Sequence, residues 1–456
     1  MYVKNREELL SHGSRPLRLA ALDIAEHALK RVDPYVITRN LIHLYGDRLT
    51  VGDLSFDLAR HGNIYVLGAG KASLPIARAL EDVLGSRIVD SLVIVKEGQE
   101  SGTRIIKLIE ASHPLPDERG YQAAQSLLRI AHRAKAGDLV FCAITGGSSA
   151  LAPCPVVGVT LAEKQEVHRL LLECGASIRE INSVRKHLSR IKGGRLAQAI
   201  FPAAIINLTV SDVTGDPFDY ITCPTVPDTS TFADARQVLD RYHLWKRMPA
   251  SAVDYLRRAT SEQENPRDFG TQPVHTFLLV KSGAICEAAA EKAQQLGFST
   301  FILSTEMEGD STIEGLAFGS RLASHVDHMP TALVAGGETT VTLKGESGQG
   351  GPNQEFALSA ARALTGEDMV VLSLDTDGTD GQTLLAGGLT DSATVEHARS
   401  IGIDIERALL RHDVSPVLRA LGDAVITGHT GTNVNDLKLG LRMQPGPRTM
   451  NREEER

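Results

Sequence analysis

Residues 64–72 of the chain read IYVLGAGKA and combine a short apolar run with a tight turn at Gly68 and Gly70. The apolar run predicts a buried strand, and the pattern SLPIARALEDVL at 73–84 predicts the helix that follows it. Glycine tolerates the sharp backbone turn that must join the two elements. This order of strand, turn and helix is typical of a βαβ unit and favours an α/β fold.

The same order recurs along the chain. Residues 139–144 (LVFCAI) predict a second buried strand, which ends in the glycine turn TGGSSA at 145–150. Strands that alternate with helices imply crossover connections and mostly parallel sheets covered on both faces. Further strands are predicted at 91–95, 204–210, 276–280, 299–304, 331–335 and 369–374.

The length of 456 residues predicts two domains. Residues 260–273 are polar and contain proline and glycine, so we expect the linker there. The N-terminal α/β domain would then span 1–259 and the C-terminal one 274–442. We expect each to be a Rossmann-like, mostly parallel sheet flanked by helices. Residues 443–456 have the composition of a disordered tail.

Composition narrows the class of partner. The net charge is -8 and the chain has no long basic run, which argues against nucleic-acid binding but is compatible with small anionic substrates. The five cysteines form no CxxC pair, which argues against a disulfide framework or a structural zinc site. The chain shows neither a signal-peptide pattern nor an apolar run near the roughly 18 residues of a membrane span. We therefore expect a cytoplasmic protein without a membrane partner, and a homo-oligomer stays open.

The first glycine turn is a candidate phosphate site. Gly68 and Gly70 allow close backbone approach, the next helix offers its N-terminus, and Lys71 adds a cation. The turn is neither a P-loop nor a complete dinucleotide fingerprint, because Leu74 stands where the third glycine would be. The alternative is an ordinary tight turn with a solvated lysine.

The second glycine turn offers Gly146, Gly147, Ser148 and Ser149, whose backbone N–H groups can surround an anion. It is not a nucleophile elbow, because Leu151 occupies the final glycine position of that motif. The alternative is that Ser148 or Ser149 caps the next helix, which is compatible with an anion site.

A basic run follows in NSVRKHLSRIKGGRL. Arg185 and Lys192 lie seven residues apart, on one face if the segment is helical, and Arg195 comes soon after. Such cations could neutralise a polyphosphate. The alternative is a solvated helix face.

Acidic residues follow several predicted strands, where they could hold Mg²⁺ or accept a hydroxyl proton. The alternative for each is a turn residue that bonds to its own backbone. Glycine turns, cations and acids together supply what phosphoryl transfer requires. The acidic candidates are Asp212, Asp216, Glu338, Glu355, Asp375, Asp377 and Asp380.

Nine segments resemble the glycerate 2-kinase family, in order, from about residue 15 to 440. They are GAGKA (68–72), SHPLPDERG (112–120), TGGSSAL (145–151), INSVRKHLSRIKGGRLA (181–197), TVSDVTGDP (209–217), AGGETTVTL (335–343), GGPNQEFAL (351–358), DTDGTDG (375–381) and TGTNVNDL (430–437).

The resemblance implies transfer of a phosphoryl group from ATP to D-glycerate with Mg²⁺, and two α/β domains with the active site in the cleft between them. It also implies that Lys71 is the family's active-site lysine, and Asn353 and Asn433 join the candidates for substrate binding. Pro352 stands where many members have arginine, so Lys344 or Arg195 would have to take over its role. Ser148 replaces a glycine.

We therefore expect Lys71, Asp212, Glu355 and Asp377 to be catalytic and Asp212, Asp377 and Asp380 to bind the metal. The remaining candidates would bind substrate or phosphate: Gly68, Gly70, Gly146, Gly147, Ser148, Ser149, Arg185, Lys192, Arg195, Glu338, Asn353 and Asn433. Two other functions stay open. The first is a hydroxypyruvate reductase, a label that members of the family often carry. It would need a nicotinamide site with Glu97 or Asp90 as its acidic residue. The second is a nucleotide-binding sensor that does not turn over substrate.

Overall fold

The computed structural model describes residues 1–99, 102–211, 217–221, 223–325, 329–343, 347–366 and 368–443. The chain forms two compact units. We call Asp33–Lys281 the middle unit, for its place in the sequence, and Met1–Val32 together with Ser282–Arg456 the terminal unit.

The helices are α1 (Arg6–Leu9), α2 (Arg15–Arg31), α3 (Pro34–Leu41), α4 (Ser73–Leu84), α5 (Glu118–Ala131), α6 (Ser148–Leu151), α7 (Leu161–Glu173), α8 (Ile178–His187), α9 (Arg195–Ile200), α10 (Phe218–Ile221), α11 (Phe232–Arg241), α12 (Ala250–Arg258), α13 (Ala284–Gln295), α14 (Ser311–Ser324), α15 (Pro352–Ala361), α16 (Thr394–Ser400), α17 (Ile405–Leu410) and α18 (Ser415–Leu421).

The strands are β1 (Ile42–Tyr45), β2 (Arg48–Val51), β3 (Leu54–Asp57), β4 (Ile64–Ala69), β5 (Ile88–Lys96), β6 (Leu108–Ala111), β7 (Leu139–Ile144), β8 (Ala204–Val210), β9 (Val274–Val280), β10 (Ser299–Met307), β11 (Thr331–Gly337), β12 (Met369–Asp375), β13 (Gly387–Asp391), β14 (Ala424–Val425) and β15 (Asp436–Arg442).

The main sheet of the middle unit has the strand order β6-β5-β4-β7-β8-β9, and every neighbouring pair is parallel. The predicted parallel sheet with flanking helices is confirmed here. Chain order runs outward from β4 in one direction and then from β7 in the other, so the switch point of a doubly wound sheet lies between β4 and β7. The carboxyl ends of these two strands lead into the two glycine turns, which is where ligands bind in such folds.

The strands that flank the switch point are buried along their whole length, as their continuous apolar runs predict. One face of the sheet packs under helices α5 and α9 in a core that includes Leu67, Cys142, Leu127 and Ile200. All five cysteines are unpaired thiols. A small antiparallel sheet, β1-β2-β3, precedes the main one and was not predicted.

The sheet of the terminal unit differs from the prediction of a mostly parallel sheet. Its order is β10-β11-β15-β12-β13-β14, and only the pair β10–β11 is parallel. The last strand, β15, inserts between β11 and β12 and runs against both. The prediction of a parallel sheet was therefore wrong for this unit, because the direction of β15 depends on pairing partners far away in the sequence.

The division of the chain also differs from the predicted boundary at 260–273. Strand β9 follows that polar segment but pairs with β8, as the edge strand of the middle unit. Residues 1–32, expected in the first domain, belong to the terminal unit. Arg18 explains this, because its buried guanidinium donates to Asp391 (2.7 Å) and Asp423 (2.8 Å).

Of the predicted tail, 443–456, only Met443 is among the described residues. No helix in the described ranges is long and apolar enough to span a membrane.

Candidate functional site

The two glycine turns of the middle unit pack directly against each other at the switch point. The backbone N–H of Lys71 donates to the carbonyl oxygen of Gly146 (2.9 Å), and that of Thr145 donates to Ala69 (3.1 Å). The N–H of Ala72, just before α4, donates to Oγ1 of Thr145 (3.1 Å). These bonds fix Lys71 beside the second turn.

Close packing explains the glycines of the first turn. A β-carbon on Gly70 would lie 2.1 Å from Oγ1 of Thr145, and one on Gly68 would lie 2.8 Å from the carbonyl oxygen of Ala143. In a dinucleotide-binding fold, the space above the second glycine admits the pyrophosphate. Here the side chain of Thr145 fills that space. Gly68 and Gly70 therefore serve packing, and their predicted contact with phosphate loses support.

The second turn is more accessible. Gly146, Gly147, Ser148 and Ser149 are each partly exposed. In the described part of the chain, the N–H groups of Gly146 and Gly147 donate no hydrogen bond. Gly147 has a φ of 84°, and a β-carbon there would lie 3.1 Å from Cγ of Lys71. Lys71 and two available N–H groups thus meet at one small surface, which can accept an anion.

Lys192 extends this surface into the protein. Its buried ammonium group donates to the hydroxyl of Ser149 and lies 3.7 Å from the sulfur of Cys223. Burial lowers the pKa of Lys192, and the nearby Arg185 adds to this effect. Helix α8 ends at His187, so Lys192 and Arg185 do not share a helix face as predicted, although their charges interact.

Arg185 and its neighbour in sequence, Lys186, have opposite environments. Lys186 is paired with Asp219 (2.5 Å) and Asp228 (3.2 Å). Arg185 has no hydrogen bond or ion pair to any described residue. Burial lowers the pKa of its guanidinium group. Arg185 is half-buried, and a partly desolvated guanidinium without an acidic partner is a costly arrangement that a bound anion would relieve.

Arg195 is not available to bind an anion, because its donors are engaged within the protein. Its Nε donates to Oδ1 of Asn265 (2.5 Å), and its other nitrogens donate to the carbonyl oxygens of Ser189 and Gln263 (both 2.9 Å). Two of these bonds tie the start of α9 to the segment before β9, and the third ties it to Ser189 just upstream of the helix. The prediction that Arg195 anchors a substrate is not supported, because its hydrogen-bonding capacity serves the fold.

Acidic and amide side chains of the terminal unit gather at one edge of its sheet. Asp375 ends β12, and Asp436 begins β15 and pairs in register with both Asp375 and Gly337. Because β15 runs antiparallel, its start lies beside the ends of β11 and β12. Glu338 follows β11 and is exposed, while Asn433 precedes β15 and is buried.

Asp380 caps a helix. Its Oδ1 accepts from the backbone N–H of Asn353 (3.0 Å), and its Oδ2 accepts from the backbone and side-chain nitrogens of Gln354 (both 2.9 Å). These donors lie at the start of α15, whose own cap, Gly351, has no side chain to offer. Burial raises the pKa of Asp380 to about 6. The carboxylate is saturated, so its predicted role as a metal ligand loses support.

Asn353, predicted to bind substrate, is part of the same network. Its side-chain nitrogen donates to Oδ1 of Asp436 (2.8 Å), and its oxygen accepts from the hydroxyl of Ser373 (2.6 Å). Lys438 completes the charge balance by donating to Asp436 (2.6 Å). Asp436 and Lys438 were not among the predicted site residues, since the sequence gives no sign of this buried pair.

Glu355 lines a pocket of about 370 Å³ in the terminal unit, together with apolar residues that include Val341, Leu343 and Pro352. Its Oε1 lies 3.0 Å from Nδ1 of His412. Burial raises the pKa of Glu355, an effect that His412 opposes. His412 was missed by the sequence analysis, because a lone histidine in a loop carries no motif.

Asp377 is the remaining acidic candidate in this unit. Its Oδ1 accepts from the backbone N–H of Thr379 (2.8 Å) and from its hydroxyl (2.7 Å), as in an ordinary turn. Across the described residues, no group of three His, Cys, Asp or Glu side chains is arranged to hold a metal ion. Asp212, Asp216 and Lys344 lie outside the described residues.

Residues 20–257 match the family described as "Domain of unknown function (DUF4147)", and residues 331–436 match the MOFRL family. The glycerate 2-kinase of Pyrococcus horikoshii is 40% identical over 432 residues, covering 93% of this chain and 97% of that protein. The chain belongs to the glycerate 2-kinase family.

Two further relatives illustrate the range of names in the glycerate 2-kinase family. The crystal structure of a glycerate kinase from Thermotoga maritima is 34% identical, with a TM-score of 0.81 and coverage of 94% of this chain and 100% of that one. A protein of Agrobacterium vitis named "Putative hydroxypyruvate reductase" is 38% identical, with coverage of 83% and 99%.

Proposed function

We propose that this protein transfers the γ-phosphoryl group of ATP to the C2 hydroxyl of D-glycerate, which gives 2-phosphoglycerate and ADP. The observation that carries the proposal is the anion-binding surface at the switch point, where Lys71 and the second glycine turn meet. Its position fits the general location of ligand sites in doubly wound sheets. Membership of a kinase family supplies the reaction class.

Each group at this surface has a task in phosphoryl transfer. Catalysis of this reaction depends mainly on positioning and on charge stabilisation. Lys71 offsets the negative charge of the transferring phosphoryl group, and the N–H groups of Gly146 and Gly147 orient its oxygens. Lys192, held by Ser149, adds a second positive charge behind the turn.

Mg²⁺ is part of the proposal, bound chiefly through ATP. Mg²⁺ keeps several waters and uses few protein carboxylates in nucleotide sites, so a dedicated protein cage is not required. Asp212 and Asp377 are the candidate ligands.

The acceptor hydroxyl must lose its proton during transfer. Glu355 is a candidate base, since burial raises the pKa of its carboxyl group and His412 lies within hydrogen-bonding distance. Asp212 and Asp377 are the other candidates. In a loose transition state the proton leaves late, so we expect a base to contribute less than Lys71.

The reductase alternative is disfavoured by the first glycine turn. A nicotinamide dinucleotide needs space for its pyrophosphate above Gly70, which Thr145 fills. Glu97, which directly follows β5, is paired with Arg119 (2.7 Å).

The deciding experiment is incubation of the purified protein with D-glycerate and Mg-ATP, followed by phosphorus NMR of the products. We expect the signal of 2-phosphoglycerate and no NADH oxidation with hydroxypyruvate. A signal of 3-phosphoglycerate would overturn the choice of hydroxyl only. NADH oxidation without ATP turnover would overturn the kinase proposal.

A further inference from the structure

A small, partly open pocket lies next to the second glycine turn of the middle unit. It has a volume of about 30 Å³ and is lined by residues that include Ser149, Lys164, His168 and Arg185. Lys164 and His168 are four residues apart on α7, so both project from the same face of that helix. Ser149 belongs to the turn and to the pocket, and therefore connects the two.

The pocket carries positive charge that the described residues do not balance. Lys164 donates only a long hydrogen bond to the carbonyl oxygen of Leu188 (3.5 Å), and Arg185 has no partner in the described part of the chain. Lys192 donates a hydrogen bond to Ser149, which lines the pocket. No ion pair joins any of these three cations to a described carboxylate, whereas Lys186, which directly follows Arg185, has two.

The protonation of these groups reflects their crowding. Burial, together with the neighbouring charges of Arg185 and Lys192, lowers the pKa of Lys164 to about 7. Burial and the same cations lower the pKa of His168 to about 4, so that its ring is neutral at pH 7. The Nδ1 atom of His168 is buried and has no hydrogen-bond partner. In the tautomer that carries its proton on Nδ1, this atom can donate to a ligand with acceptor atoms.

The volume of the pocket limits the size of the group that it can bind. A cavity of about 30 Å³ admits one or two water-sized groups, which suits the two oxygens of a carboxylate. A guanidinium and an ammonium group are the usual partners of a carboxylate, because charge-assisted hydrogen bonds are stronger than neutral ones.

We propose that Arg185 and Lys164 bind the carboxylate of the hydroxy-acid acceptor in this pocket, an inference that rests on the proposed kinase function. Ser149 then lies between the bound carboxylate and the phosphoryl group at the second turn. The hydroxyl on the carbon next to the carboxylate is the one brought to the turn, and the hydroxyl one carbon further is not. The pocket thus accounts for phosphorylation at C2.

The test compares Lys164→Met and Arg185→Gln with Arg169→Gln. Arg169 lies on α7 as well, but its side chain is exposed and pairs with Glu166 and Glu173 on the surface. For the two pocket variants we expect the KM for D-glycerate to rise by roughly tenfold or more, because a charge-assisted hydrogen bond is lost. The KM for ATP should stay within about twofold in all three proteins.

Two comparisons complete the design. The preference for D-glycerate over glycerol, which lacks the carboxylate, should shrink in the pocket variants and persist in Arg169→Gln. Arg185→Lys should recover part of the affinity. Circular dichroism and thermal melting check the fold, and we expect no loss of melting temperature because the variants remove crowded positive charge.

Calorimetric binding of D-glycerate without nucleotide separates this proposal from the proposed function. Binding that is lost in Lys164→Met and Arg185→Gln supports the pocket even if the wild type transfers no phosphoryl group. Turnover of D-glycerate with unchanged KM and binding heat in both folded variants would overturn the pocket and leave the kinase proposal standing.

Discussion

The pocket beside the second turn and the acidic edge of the terminal unit's sheet treat buried charge in opposite ways. In the first, Lys164, Arg185 and Lys192 lie close together without a described carboxylate to balance them. In the second, Asp380 is saturated by the start of α15, and Asp436 is neutralised by Lys438. Burial alone therefore does not identify a functional charge.

The difference lies in whether the fold already satisfies the charge. A buried group with all its partners present is explained by stability, since breaking the set would leave an uncompensated charge. A buried group without partners costs stability, and such a cost is commonly retained at binding sites. This criterion ranks the cations of the middle unit above the acids of the terminal unit as ligand-binding groups.

The largest expected effect is that of Lys71→Ala on turnover. Loss of a positioned cation at the transferring phosphoryl group typically costs about 3 kcal/mol or more, a hundredfold or greater fall in kcat/KM. The matched control is Lys107→Ala, an exposed lysine of the same unit. Steady-state kinetics on folded proteins provide the measurement, and near-normal turnover of Lys71→Ala would remove Lys71 from the mechanism.

Asp380→Asn tests whether the buried acid of the terminal unit serves stability. We expect a loss of about 3 kcal/mol in the free energy of unfolding, because the new amide group meets N–H donors at the start of α15. Glu396→Gln, which neutralises an exposed acid of the same unit, should change it by less than about 0.5 kcal/mol. Urea denaturation compares the two. If Asp380→Asn were as stable as the wild type and were impaired only in its response to Mg²⁺, Asp380 would again be a candidate metal ligand.

The pH dependence of substrate affinity is the smallest effect and sharpens the comparison further. Lys164 faces Arg185, Lys192, Cys154 and Cys223, and its pKa is lowered to about 7. It is therefore cationic below pH 7 and loses its charge as the pH rises through that value. We expect the KM for D-glycerate to rise roughly several-fold between pH 7 and 8.5.

In Lys164→Met the same profile should be flat over this range. End-point assays of ATP turnover at fixed ionic strength give the pH profile of the KM for D-glycerate in both proteins. An equally steep rise in the variant would assign the titration to another group.

The sequence predicted the middle unit well and the terminal unit less well, for physical reasons. Strands β4 and β7 are buried on both faces, so their apolar runs are continuous and easily seen. Strand β13 (GGLTD) has no such run, and the direction of β15 is set by distant partners. The polar segment before β9 resembles a domain linker, although it leads into the edge strand of the same sheet.

The candidate site shows a similar division. The second turn was found because glycine and serine after a strand form a local pattern. Asp380 was assigned to metal binding because an acid after a strand looks the same whether it caps a helix or holds a ligand. Lys164 and His168 were missed, yet their spacing of four residues, which places them on one face of α7, was a usable signal.

The terminal unit is formed by two segments that lie far apart in the sequence, which has a consequence for folding during synthesis. Arg18 emerges from the ribosome more than 350 residues before Asp391 and Asp423, the two acids that its guanidinium joins. The middle unit is complete by residue 281, whereas the terminal unit must wait for nearly the whole chain. A fragment that starts at Ser282 would bury both acids without their counter-ion. Dissection of this protein into independently expressed parts therefore requires that α2 be reattached to the C-terminal segment, for example by circular permutation.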